Sequence, residues 1–258
     1  MRRQRLTAKC FGALLMSVPF IALVLVVYLA VAGRGEHAET QLVVVEPGDT
    51  LSAIARRFNV TPTTIAALNA IEDPSRIYPN QVLLVPTGPE ARVPESLKAR
   101  VAALVRRQPG VPRRRWRTIV VHHSAASSGS ARSCNAYHTH VRRWRHGLGY
   151  HFVIGNGTNT PDGLIEAGPR WAKQLDGAHA WSPDNRANRE GIGICLIGNF
   201  EETHPTEAQM RALVELVRQL QRRYNIPSRR VIGHRDVVEG RTVCPGKNFS
   251  IERLRKML

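Results

Sequence analysis

Cysteine is scarce: four residues in a chain of 258, too few for a disulfide-stapled scaffold. No CxxC pair and no HExxH run occurs, so no short contiguous metal motif marks the chain. Acidic residues are also few, 20 against 37 Lys+Arg, which leaves a formal net charge of +17. An excess of that size suits a nucleic acid, an anionic membrane surface or an acidic polymer, and charge alone does not choose among them. What is present is ordinary: 43% hydrophobic and 22% charged residues, which excludes a collagen-like, coiled-coil or fully disordered chain. At about 150 residues per domain, the length allows one or two domains.

Charge is missing altogether from residues 10–33, which follow Arg2, Arg3, Arg5 and Lys9. About 20 apolar residues cross a bilayer as a helix, so this run predicts one N-terminal membrane helix. The basic flank stays in the cytoplasm, which puts everything after Gly33 on the periplasmic or extracellular side of the cell membrane. The competing reading is a signal peptide cleaved near Ala30-Val31-Ala32, although its apolar core usually runs about 7–15 residues. Residues 1–33 are therefore an anchor or a signal peptide. Either way the rest is exported, and nucleic acid drops out as a partner.

Residues 42–87 read as strand, helix, helix, strand. Leu42-Val43-Val44-Val45 is β-rich, and Pro47-Gly48-Asp49-Thr50 turns into a helix whose Leu51, Ile54, Ala55 and Phe58 share one face. Thr61-Pro62 starts a second helix with proline at its first position. The ordered pieces Val45-Glu46-Pro47-Gly48-Asp49-Thr50-Leu51, Ile54-Ala55, Leu68-Asn69, Ile77 and Gln81-Val82-Leu83 resemble a LysM domain. That resemblance implies binding of glycans containing N-acetylglucosamine, with Tyr78 and Phe58 as the only aromatics for a stacking platform. Residues 88–117 carry nine basic and two acidic residues and four prolines, which predicts a basic linker, with a short helix near 95–107 built on Leu97, Val101, Leu104 and Val105.

Residues 118–258 suffice for one core. Strands are predicted at 118–123, 150–154, 192–197 and 230–234, interleaved with helices, which gives an α/β fold with a mixed central sheet flanked by helices. The strand at 192–197 is apolar on both faces, as a buried central strand is. A helix over 206–224 opens on a Thr206/Gln209 capping-box pattern. His122 and His123 are neighbours on a strand and so point to opposite faces; only one belongs to a given site. With His234 and Cys244, one of them completes two imidazoles and a thiolate, a sound catalytic zinc set with a fourth position open for water. His138 and His140 fall in a helical stretch, where residues two apart diverge, and read as surface or cleft-rim groups.

Val120-Val121-His122-His123-Ser124-Ala125 resembles the first metal-ligand segment of the type 2 N-acetylmuramoyl-L-alanine amidases, a family that includes peptidoglycan recognition proteins. Gly149-Tyr150-His151-Phe152, Gly177-Ala178-His179-Ala180, Gly191-Ile192-Gly193-Ile194-Cys195, Gly233-His234-Arg235-Asp236 and Thr242-Val243-Cys244-Pro245-Gly246 extend the match in order. The resemblance implies one Zn2+ held by His122, His234 and Cys244, with Tyr150 as the catalytic tyrosine and Thr242 at a position the family fills with Lys or Thr. His179 is a candidate proton donor to the leaving amine, or a group that lines the cleft. The expected activity is hydrolysis of the amide between N-acetylmuramic acid and L-alanine in peptidoglycan. The alternatives are a non-hydrolytic peptidoglycan-binding or sensing protein and a zinc hydrolase of another muropeptide bond.

Overall fold

The computed structural model describes residues 40–87, 96–106, 110–112, 114–238 and 240–258. The leader read as a membrane segment lies outside them; among the described residues no helix is long and apolar enough to cross a membrane.

The first two strands have no polar face to give to water. β1 (Thr40–Val44) pairs antiparallel with β2 (Val82–Pro86), Leu42 opposite Leu84. Between them run α1 (Leu51–Arg57), capped by the Thr50 hydroxyl, and α2 (Pro62–Leu68), capped by Thr61 with Pro62 in its first turn. Side chains alternate across the two-stranded sheet. Val43, Val45, Leu83 and Val85 pack with Leu51, Ile54 and Ile65 in the small module's own core. Leu42, Val44, Val82 and Leu84 face the other way and join the core of the rest of the chain. Asn69 ties α2 to the sheet: its amide donates to the Ile65 and Leu84 carbonyls and its oxygen accepts from Leu84 N–H, each at 2.8 Å.

The stretch expected as a basic linker holds α3 (Leu97–Val105), capped by Ser96. Its described part is no solvated tether. Val101, Leu104 and Val105 are buried, and the Trp171 indole N–H donates to the Leu104 carbonyl at 2.8 Å.

The larger sheet has the order β5-β4-β6-β3-β7. β3 (Thr118–His123), β4 (Phe152–Ile154), β6 (Gly191–Leu196) and β7 (Val231–Gly233) run parallel, and β5 (Ile165–Ala167) closes one edge antiparallel. Every residue of β6 is buried, as its apolar run predicts. The helices between these strands are α4 (Ala131–Ala136), which runs on into a π-turn over Tyr137–Val141, and the short α5 (Pro169–Ala172) and α6 (Arg186–Arg189). α7 (Glu207–Tyr224) covers the sheet with Leu213, Leu216, Val217 and Leu220, and α8 (Ile251–Lys256) ends the chain. α3 lies against α7, and β1 packs on α3 and α5. Polar contacts seal the join between the modules: Arg132 donates to the Arg76 carbonyl at 3.3 Å and covers the Tyr78 ring at 5.4 Å, and Asn135 donates to the Pro79 carbonyl at 3.2 Å.

Candidate metal centre

The alternation at the end of β3 decides between the two histidines. His123 turns to one face, where its Nδ1 accepts from Phe200 N–H at 3.1 Å beside the Phe200 ring. His122 turns to the other, where its ring lies 4.5 Å from that of His234, which begins a 3-10 turn straight after β7. Cys244 arrives on a loop and puts its Sγ 3.8 Å from His122 Nδ1. One donor atom from each of His122, His234 and Cys244 lies within 4.8 Å of the others.

Several bonds hold that loop. Arg235 donates its backbone N–H to the Cys244 carbonyl at 2.7 Å and its guanidinium to the Gly246 and Phe249 carbonyls at 2.9 and 3.0 Å. Thr242 Oγ1 accepts from Cys244 N–H at 3.2 Å, and His123 N–H points at the Cys244 sulfur at 3.4 Å. Asp236 accepts from Gly233 N–H at 2.8 Å and so shapes the turn that presents His234. Arg235 and Asp236 thus work on the backbone rather than on each other.

His179 stands behind His122, on the far side of the ring from Cys244. Its Nδ1 is 3.1 Å from His122 Nε2, and its Nε2 is 3.2 Å from the Gly191 carbonyl. A carbonyl only accepts, so the His179 proton sits on Nε2 and its Nδ1 is an acceptor. The His122 proton is then on Nε2, which leaves the Nδ1 lone pair facing Cys244 and His234. This chain of bonds fixes the tautomer a metal ligand needs. The expectation of His179 as a proton donor to a leaving amine is thereby corrected: the residue is buried, and its one N–H is taken by Gly191. Glycine makes the room, since a Cβ on Gly177 or Gly193 would collide with the His179 imidazole.

The donor set fits a metal cation. Burial, reinforced by the neighbouring histidines, holds His122 well below the ordinary imidazole range, and burial lowers His234 as well, so both present lone pairs. Burial pushes the Cys244 thiol up to about 12, so its charged form needs a cation beside it. Two neutral nitrogens and one sulfur on one side of a site are the catalytic zinc pattern, with the fourth position left for water or substrate.

Tyr150 lies beside this cluster, its ring 5.2 Å from that of His122. Burial raises its pKa well above that of a free phenol, so it stays an O–H donor. His138 is not a rim group. It is buried, stacks on Trp144 at 4.6 Å and accepts from Gly149 N–H at 3.1 Å, whereas His140 is exposed. Cys134 and Cys195 are both free thiols. Trp171 is a core residue, and Trp181 is exposed under the Arg241 guanidinium at 3.8 Å. His151 carries structural weight the sequence did not single out: its Nδ1 accepts from Gly193 N–H at 2.9 Å and its Nε2 faces the Leu175 carbonyl at 3.1 Å.

A family model described as N-acetylmuramoyl-L-alanine amidase matches residues 112–247, more than half of the chain and all three donor residues. The chain belongs to the N-acetylmuramoyl-L-alanine amidase family. A LysM domain model matches residues 43–86, the small two-stranded module ahead of the amidase domain. Peptidoglycan-recognition protein SC2 of Drosophila melanogaster is 33% identical over 139 residues, which cover 50% of this chain and 68% of that protein. The N-acetylmuramoyl-L-alanine amidase of Homo sapiens is 31% identical over 121 residues. Those residues are 46% of this chain and only 19% of the human protein's length. Among solved structures, the amidase LysC from Clostridium intestinale is 34% identical, with 55% of this chain and 85% of that one covered and a TM-score of 0.47.

Proposed function

We propose that the amidase domain hydrolyses the amide between N-acetylmuramic acid and L-alanine in peptidoglycan, with zinc as its metal and with the LysM domain gripping the glycan. The observation that carries this reading is the convergence of His122, His234 and Cys244 donor atoms within 4.8 Å, beside a protonated Tyr150. An amide carbonyl is a poor electrophile and neutral water a poor nucleophile. The chemistry a bound zinc supplies is polarisation of the carbonyl and a water whose pKa falls to about 7.

The chain's own residues do the rest. His122, His234 and Cys244 hold the metal; His179 keeps His122 in the competent tautomer. Tyr150 donates a hydrogen bond to the oxygen that gains charge as the carbonyl is attacked. Thr242 has its hydroxyl oxygen engaged by Cys244 N–H and keeps its proton to donate to the same oxygen. Residues 10–33 anchor the chain in the cell membrane with both domains outside, or are removed on export.

The test is digestion of purified peptidoglycan by the full chain, with and without a chelator, followed by mass spectrometry. Free stem peptides that begin with L-alanine and disappear with chelation are expected. Cleaved cross-links would replace the reading with an endopeptidase, and no products from zinc-loaded protein would leave a binding protein. Tyr150→Phe is expected to lower turnover at least tenfold while zinc stays bound; full activity in that variant would remove the tyrosine from the mechanism.

A further inference from the structure

The end of the larger sheet opposite the candidate metal centre holds a pocket. The N-terminal ends of β3 and β7 and the C-terminal end of α7 enclose a cavity of about 690 Å3. Arginine dominates its wall. Arg115 and Arg117 lead into β3, Arg186 opens α6, Arg223 lies near the end of α7, and Arg229 and Arg230 precede β7. Trp116 and Tyr224 supply the apolar part of the lining, and Glu190 is its one carboxylate.

Three of the seven arginines on this wall are not spent on the fold. Glu190 is shared by Arg117 at 3.4 Å and Arg186 at 4.0 Å, Arg186 also pairs with Asp184 at 3.6 Å, and Arg223 donates to the Tyr224 hydroxyl at 3.4 Å. Arg114, also on the wall, is committed to Asp176 and to the Gln174 and Arg189 carbonyls. The guanidinium groups of Arg115, Arg229 and Arg230 have no hydrogen-bond or ion-pair partner among the described residues, and all three are exposed. Like charges drawn from four separate segments into one concavity repel each other and raise its potential. A ligand carrying several negative charges relieves that repulsion, and the planar guanidinium fork matches phosphate oxygens in pairs.

We infer that this pocket binds the phosphate headgroups of an anionic lipid surface. The site is independent of the amidase chemistry; the choice of a lipid source rests on residues 10–33 being a membrane segment. That uncharged run ends six residues before the described residues begin at Thr40, and six residues reach at most about 22 Å. β1, which starts there, packs on α5, and the α5 residue Trp171 meets both aromatic residues of the pocket, Trp116 at 6.5 Å and Tyr224 at 6.1 Å. With the pocket on the bilayer, β3 runs away from it and carries His122 to the side that faces the wall.

The full chain in non-ionic detergent micelles, doped with phosphatidylglycerol or with phosphatidylcholine, tests this through the thermal midpoint. Phosphatidylglycerol is expected to raise the midpoint and phosphatidylcholine not to, and salt should erase the effect. The triple variant Arg115→Gln/Arg229→Gln/Arg230→Gln should bind phosphatidylglycerol about a hundredfold more weakly, roughly fivefold for each basic residue. The variant Arg142→Gln/Arg143→Gln/Arg145→Gln removes the same charge from an exposed stretch elsewhere and should bind as the parent does. Equal losses in the two triples would reduce the effect to net charge and overturn the site. So would an unshifted midpoint in the parent protein. Inorganic pyrophosphate bound as tightly as phosphatidylglycerol would overturn the lipid source.

Discussion

Two glycines give up their side chains to seat one imidazole that stands outside the His122, His234 and Cys244 donor set. Because His179 acts on His122 through its tautomer, His179→Ala should lower zinc affinity about tenfold to a hundredfold while the far-UV circular dichroism stays unchanged. Competition with a chromophoric chelator reads this directly, and an unaltered affinity would show that the Gly191–His179–His122 chain does not tune the metal. The metal's own pH dependence follows from the three donors. Both imidazoles are already neutral above pH 6.5, since burial lowers their pKa values, whereas the Cys244 thiol at about 12 must lose its proton on binding. Below about pH 7 one proton, from Cys244, should therefore leave per zinc, and affinity should rise about tenfold per pH unit; above it the bound water ionises as well and the rise should steepen. Calorimetry at about pH 6.5 in buffers of different ionisation heat counts the first proton; a count near two there would mean that an imidazole titrates as well. The convergence of His122, His234 and Cys244 was legible in the sequence because strand-end and loop positions carry the family's motif. The role of His179 was not, since it depends on which ring nitrogen faces a carbonyl twelve residues away, which no spacing encodes.

The longest helix shows how a cap can do two jobs. Thr206 Oγ1 accepts from Gln209 N–H at 3.0 Å, and Gln209 Oε1 accepts from Thr206 N–H at 3.1 Å, the reciprocal box the sequence predicts. The Gln209 amide then donates to the Ile197 and Ile154 carbonyls at 2.8 and 3.3 Å, at the ends of β6 and β4. Thr206→Ala should cost about 1 kcal/mol, the usual loss of a cap. Gln209→Ala should cost more, because the buried Ile197 carbonyl left without its donor adds roughly 1–3 kcal/mol, whereas the Ile154 carbonyl keeps the Ile197 N–H at 3.0 Å. Urea denaturation ranks the two; the reverse order would mean that water reaches the Ile197 carbonyl. The helices α7 and α3 were readable from their periodicity, and β6 from its unbroken apolar run. The join of α4 to a π-turn was not, and that extra residue per turn helps set buried His138 against exposed His140. In β1 and β2 a signal was present but unread: Leu42 to Val45 and Val82 to Val85 are apolar at every position, where a sheet with one wet face would alternate.

That second apolar face makes the LysM and amidase domains one folding body. Leu42, Leu68 and Leu84 share a core with Leu104, Trp171 and Leu220. The described chain should therefore unfold in one transition, with calorimetric and van't Hoff enthalpies that agree. Leu84→Ala should lower that single transition by about 2–5 kcal/mol rather than loosen the LysM domain alone. Two separate transitions would show that the shared core does not couple them. The sequence suggested beads on a basic string because it shows composition, and burial across a gap of more than a hundred residues leaves no local mark. Part of the basic excess is likewise concentrated: seven of the 37 Lys+Arg line one pocket at the sheet end remote from Cys244.

A seam without slack also measures. A tethered pair of domains would let the grip on a glycan and the cut in its stem wander relative to each other. If the LysM domain holds a sugar, the shared core sets a constant interval between the sugar held and the amide cut. A long strand would then be stripped at positions counted from each grip rather than at random, and the chain would act on the wall as a gauge as well as a blade.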